Sequence, residues 1–252
     1  MTGPPVSADT DRAESGLVLA YSQLIASLTR RYGPSSQAVM LTSFDYLLAL
    51  CDFAGGRSSA VGKVRHQIDS LIRELSDWYS LSEPVGNAPP VQVLDKELPL
   101  LQFDRVEYER RYGIVGLALQ REVRVVDDHV LSTLLPARPY NYVIDECGQL
   151  IVHMRPLNFR DLVFSRRAAG QTEVTHPMLV HDTLSVMAAG EIAFVGYHGR
   201  VSTIVANTKS GHYWPPPPSA AALRRVCDLL FHLRDEDTIV FVVNDARRPT
   251  AS

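Results

Sequence analysis

The sequence predicts an α+β protein: an N-terminal helical hairpin or bundle, then a mainly antiparallel sheet with flanking helices. Three observations predict it. Up to residue 82 the apolar side chains recur every three or four positions. A stretch rich in Pro, Gly and Asn occupies 83–92. Beyond it, short β-branched runs flank glycine-containing turns. The chain therefore divides into a disordered tail (1–12), a helical region (13–82), a linker (83–92), an α+β domain (93–245) and a tail (246–252).

Leu17, Tyr21, Leu24, Ile25 and Leu28 mark the first helix, which Gly33-Pro34 ends. Ser35 or Ser36 can cap the second, running through Val39, Met40, Phe44, Leu47, Leu48 and Cys51 to Gly55-Gly56. The third starts near Ser58 or Ser59 and carries Val61, Val64, Ile68, Leu71, Ile72, Leu75 and Trp78. A short helix is expected from Asp104 to Arg111, then extended runs at Ile114–Leu119 and Glu122–Val126. Tyr140–Ile144 and Leu150–His153 flank Asp145-Glu146-Cys147-Gly148 and read as a hairpin. Ile192–Gly196 and Val201–Val205 form a second, around Tyr197-His198-Gly199-Arg200. Four prolines, Pro215 to Pro218, predict a stiff extended segment. Ser219 is expected to cap a helix through Leu223, Val226, Cys227, Leu230 and Phe231, and Thr238–Val243 to be a buried strand.

Several function classes find no support. A net charge of −3, with basic runs no longer than isolated doublets such as Arg166-Arg167, provides no basic groove for nucleic acid. The N-terminus lacks the apolar core of a signal peptide, and no window of eighteen apolar residues is evident, so no membrane partner is expected. The three cysteines, Cys51, Cys147 and Cys227, show neither zinc spacing nor an even count, which makes a reducing cytoplasm the expected compartment.

Chemistry concentrates in two segments. Ala188-Ala189-Gly190-Glu191 puts a carboxylate at the head of the β-like run Ile192-Ala193-Phe194-Val195, where an inward carboxylate needs a partner. Asn207-Thr208-Lys209-Ser210-Gly211-His212-Tyr213-Trp214-Pro215 sets a hydroxyl, an imidazole and a phenol side by side. The His181-Asp182-Thr183 segment lies upstream. Together with the turn glycine Gly199 and a following helix, these motifs make the run from about Tyr142 to Val243 resemble an uncharacterised SGHY domain. That domain occurs in bacterial effector and toxin-like proteins and in plant and fungal proteins, including the plant IQ-motif calmodulin-binding group. This chain departs from the pattern in carrying Asp182-Thr183 where the family has a serine pair. It also has no IQ-like basic helix, so calmodulin binding is not implied. The resemblance marks a domain and implies no particular reaction.

From the residues themselves, His181, Glu191 and His212 are the candidate catalytic groups, converging on a polar, possibly nucleotide-like small molecule for acid–base group transfer or hydrolysis. Ser210, Gly211, Tyr213, Asp182 and Trp214 are the candidate substrate-binding residues, Gly211 supplying an unusual backbone angle or a close ligand approach. His181 and Asp182, as neighbours in a strand, would point to opposite faces and not pair. His176 and His198 read as surface groups in turns. A His176/His181/His212 metal site has no fixed ligand geometry, so no metal is expected. NAD is a possible cofactor through an ADP-ribosyl-transfer version of the chemistry, by analogy alone. The competing reading is a non-enzymatic binding or regulatory module, with the N-terminal helices recruiting a protein partner or a second copy of the chain.

Overall fold

The computed structural model describes residues 7–55, 61–81, 91–95, 99–158, 174–197 and 200–243. It has the predicted class: N-terminal helices, then a mainly antiparallel eight-stranded sheet with helices on both faces.

Helix α1 (Ser7–Tyr32) starts inside the expected tail and stops at Gly33, whose φ of +87° only glycine adopts without strain. Helix α2 (Gln37–Gly55) begins where Ser36 Oγ accepts the Val39 amide at 3.4 Å. Contrary to the sequence reading, α2 is long and apolar enough to pass for a membrane span by length and composition. In this fold two thirds of it is buried, against α1, helix α3 (Val61–Leu81) and the sheet. The expected start of α3 at Ser58–Ser59, the turn residues His198 and Gly199, and most of the predicted linker lie outside the described residues.

The linker's last two residues, Val91 and Gln92, belong to a strand, β1 (Val91–Asp95), which pairs with β2 (Leu100–Phe103); neither strand was expected. Asp104 caps helix α4 (Arg105–Leu119), its carboxylate accepting the Glu107 amide at 2.7 Å. The helix absorbs the predicted extended run Ile114–Leu119. The reason is tertiary: Tyr108, Tyr112, Val115 and Leu119, spaced by four, three and four, form one apolar stripe against the core. Strand β3 (Val123–Val125) and a short helix α5 (Asp128–Thr133) follow.

Both predicted hairpins form. Strands β4 (Pro139–Asp145) and β5 (Leu150–His153) make the first, and β6 (Ser185–Tyr197) and β7 (Arg200–Asn207) the second. The proline run does not stay extended to its end. Pro218 has helical angles, and the carbonyls of Pro216, Pro217 and Pro218 accept the amides of Ser219, Ala220 and Ala221, which winds the first turn of helix α6 (Ser219–Phe231). Ser219 lies within that helix and does not cap it. Strand β8 (Thr238–Phe241) adds to β7 in parallel.

Strand β6 uses one edge for β4, from Val186 to Ala193. Its other edge is shared: β2 takes Ser185–Val186 and β7 takes Ile192–Tyr197. Between them, Met187 to Glu191 has no strand partner on that edge among the described residues. Helix α6 covers one face of the sheet, over Ala188, Ile192, Phe194, Ile204 and Tyr142. The other face carries two separate apolar clusters. Helices α1–α3 bury Ala193, Val195, Val205 and Phe241. Helix α4 and the turn His176–Val180 bury Ala189, Val143 and Tyr213.

Candidate functional site

The site lies at the seam between those two clusters. Ala189, Glu191, Ala193 and Val195 alternate on one face of β6. Ala189 belongs to the α4 cluster and Ala193 to the α1–α3 cluster, so Glu191 stands between them. Asn141 pairs directly with Glu191, and Asn207 shares the face of Val205. A polar row, Asn141–Glu191–Asn207, therefore crosses three strands where the apolar layers part.

Gly190 makes the row possible. A Cβ there would overlap the Asn207 carbonyl oxygen and lie 2.9 Å from its carbon. Any side chain would push the end of β7 away. The Tyr142 hydroxyl crosses above to donate to that same Asn207 carbonyl at 3.0 Å.

Asn207 is wholly buried and its carboxamide holds three elements together. The β6–β7 ladder ends at Ile192–Ala206; one residue further, Oδ1 of Asn207 accepts the Glu191 amide at 3.2 Å. The same oxygen accepts the Lys209 amide at 2.9 Å, and Nδ2 donates to the Tyr79 hydroxyl of α3 at 3.0 Å. Glu191 and Lys209 are thus fixed relative to one another through one side chain.

His176 is the second tie. Expected as a surface group, it is 7% exposed and sits on the sheet face above β6. Its Nε2 lies 3.1 Å from the Gly190 carbonyl and its Nδ1 3.1 Å from Ser210 Oγ. A carbonyl only accepts, which places the ring proton on Nε2 and makes Nδ1 the acceptor of the Ser210 hydroxyl. Ser210 Oγ in turn accepts the Tyr213 amide at 3.3 Å. Burial, then the facing His212, holds the His176 pKa down at about 4, so the ring is neutral. One histidine outside both motifs clasps the Ala-Ala-Gly-Glu strand to the Ser-Gly-His-Tyr turn.

Around this frame stand the groups able to do chemistry. Burial raises the Glu191 pKa above the usual carboxyl range, opposed by Lys209 and by hydrogen bonding from Asn207. His212 is partly exposed; its Nε2 lies 3.0 Å from the Tyr112 hydroxyl, and its ring centroid 6.5 Å from that of His176 and 6.4 Å from that of Phe103. A carboxyl with a raised pKa, a lysine and an imidazole border one seam, residue types from which acid–base sets are built.

The structure treats the sequence candidates differently. It brings Ser210, Gly211, His212 and Tyr213 against the Gly190–Glu191 strand through His176. Tyr213, though, is fully buried and donates to the Leu184 carbonyl at 3.0 Å, and both sides of the Ser210 hydroxyl are used internally. Both residues are thereby built into the frame. Gly211 is exposed, lies outside the left-handed region, and a methyl there would meet nothing within 4 Å; the unusual backbone angle expected of it is absent, and the open approach remains. Trp214 adopts φ +46°, and its indole N–H is buried without a partner among the described residues. His181 and Asp182 do pair, Nε2 to Oδ1 at 3.0 Å, because they lie in a turn where the alternation rule for strands does not apply. Arg105 donates to both of their backbone carbonyls. Among the described residues no three His, Cys, Asp or Glu side chains group to hold a metal.

Sequence reasoning missed His176, Asn207 and Tyr79. The Asn207 position opened the motif, yet its role depends on a tyrosine 128 residues away. Comparison with protein-family models, curated proteins and solved structures finds no match to this chain.

Proposed function

We propose that the protein is an enzyme that performs acid–base group transfer or hydrolysis on a polar small molecule. Glu191 is its proton-transferring carboxyl and His212 the second acid–base group. The observation that carries this is the position of Glu191: a carboxyl with a raised pKa, set in a polar row between two apolar clusters, beside Lys209. A carboxyl meant only for solvation would sit on the surface, and one meant for structure would be ion-paired, whereas Glu191 joins none of the ion pairs among the described residues. His176 and Asn207 are positioning residues in this reading. His181, paired to Asp182, has no assigned part in the proton transfer. Two of the buried polar atoms without a partner among the described residues, Thr175 Oγ1 and Trp214 Nε1, belong to the residues beside His176 and Tyr213 and fit a ligand-contacting region.

The test is a thermal-shift and mass-spectrometric screen of the full chain against nucleotides, nucleosides and NAD, including release of nicotinamide as the readout of ADP-ribosyl transfer. It is repeated with Glu191→Gln and His212→Ala. Stabilisation of the wild type by a ligand that both variants fail to answer supports the site. Stabilisation that both variants retain in full removes it.

A further inference from the structure

We propose a second binding site in this protein: a cavity between the leading helices and the sheet that takes a primary amine on an aliphatic or aromatic body. The proposal stands apart from the acid–base reading of Glu191. Strand β7 runs from Ser202 and Thr203, which line the cavity, to Asn207 at the seam, so the two sites lie towards opposite ends of one strand.

The cavity has a volume of about 420 Å³, within the range of roughly 300–1,000 Å³ usual for small-molecule sites. Its walls come from the last turns of α2, the first half of α3, the start of β7, and the turn Asp235–Asp237 with the strand that follows. Side-chain size makes the space. Near its middle α2 buries Phe44, Leu47 and Leu48, but at the cavity it presents only Cys51, Ala54 and Gly55. Helix α3 contributes Ile68 and Ile72, and β8 contributes Ile239. All three isoleucines pack against the α1–α3 cluster yet stay only partly buried, because the cavity borders them. A methyl on Gly55 would meet Ser202 Oγ at 3.4 Å, so the end of α2 rests on β7 and closes one side. Apolar surface left open inside a polar rim is the mark of a ligand groove.

The rim selects the head group. Three carboxylates, Asp69, Glu236 and Asp237, line the cavity with two guanidiniums, Arg65 and Arg234; Arg200 lines the adjoining hollow and not this one. Arg234 is already engaged, with Glu236 at 2.6 Å and Asp237 at 2.9 Å. An ionised carboxylate accepts about four hydrogen bonds, so both acids keep acceptor capacity. Asp69, one turn from Arg65 on α3, joins none of the ion pairs among the described residues. Acceptors and negative charge are in excess around a hydrocarbon floor, which suits an ammonium head on an apolar body.

The experiment titrates phenethylamine, 2-phenylethanol and 3-phenylpropionate, one body with three heads, into the 15N-labelled full chain. Saturable amide shifts at Ile68–Ile72 and Ser202–Thr203 are expected, with phenethylamine the tightest and its advantage shrinking as salt is raised. Asp69 is exposed, so Asp69→Asn keeps the fold; it should weaken the amine by up to about fivefold and leave the alcohol unchanged. Ala54→Leu fills the floor and should abolish binding of both. Protection of the Cys51 thiol from methyl methanethiosulfonate by phenethylamine, in a Cys147→Ser background, reads the same occupancy without altering the cavity. No saturable shift in this region with any probe overturns the site. Binding of the propionate or the alcohol as tight as that of the amine, or amine binding indifferent to Asp69→Asn, overturns the assignment of the ligand.

Discussion

The carboxamide of Asn207 donates to the Tyr79 hydroxyl at 3.0 Å, joining the third helix to the end of the seventh strand in a place with no water access to either group. Buried polar groups contribute little net stability when paired and cost much when orphaned. Tyr79→Phe leaves the Nδ2–H unanswered, and we expect a loss of ~1–3 kcal/mol. Asn207→Ala strands the Glu191 and Lys209 amides and the Tyr79 hydroxyl together and should cost more. Urea unfolding measures both, and a double-mutant cycle with coupling near zero would show the contact to be idle.

His176 predicts an acid limb of stability. Its folded pKa is depressed, so the unfolded chain binds the proton more readily. The stability it contributes is complete above the unfolded value of 6.5 and falls as pH drops from there towards about 4. At 1.36 kcal/mol per unit, the swing is about 3 kcal/mol. Replacing the ring by Gln, which can still donate to Gly190 and accept from Ser210, should flatten that limb. Denaturation midpoints measured across the window decide it.

Glu191 gives the opposite slope. Its folded pKa is raised, so the folded state favours the protonated form, and the associated stability is present in acid and lost as pH rises through the folded value. Glu191→Gln should therefore gain on the wild type from pH 4 to pH 8. Parallel profiles for the two proteins would mean the carboxyl titrates as in solvent.

The two motif glycines should behave differently. Gly190→Ala forces a methyl into the Asn207 carbonyl and is expected to cost about 3 kcal/mol or more. Gly211→Ala meets open space and should leave unfolding within ~0.5 kcal/mol of wild type. A ligand that binds wild type and not Gly211→Ala would then report close approach at that position.

What could be read from the sequence follows physical range. The Tyr140–His153 hairpin was legible because its alternation and its glycine turn, with Gly148 at φ +79°, are local signals. The second half of α4 was not: Ile114 and Val115 favour strands in isolation, and only the apolar stripe against Met178–Val180 makes them helical. The same limit governs the site. Glu191 and His212 were visible as chemistry-bearing groups at marked positions. That His176 would be buried, or that Ser210 would spend its hydroxyl on it, depends on contacts 34 residues apart.

The apolar cluster over Ala193, Val195, Val205 and Phe241 is shared between the leading helices and the strands. Clipping the polypeptide in the 83–92 stretch would consequently not release a self-sufficient sheet unit. The fragment from residue 91 onward would carry a bare greasy surface and drop the phenol that steadies Asn207. The half that carries the candidate site thus cannot be expressed alone without another cap, and the three leading helices are part of its fold rather than an appendage.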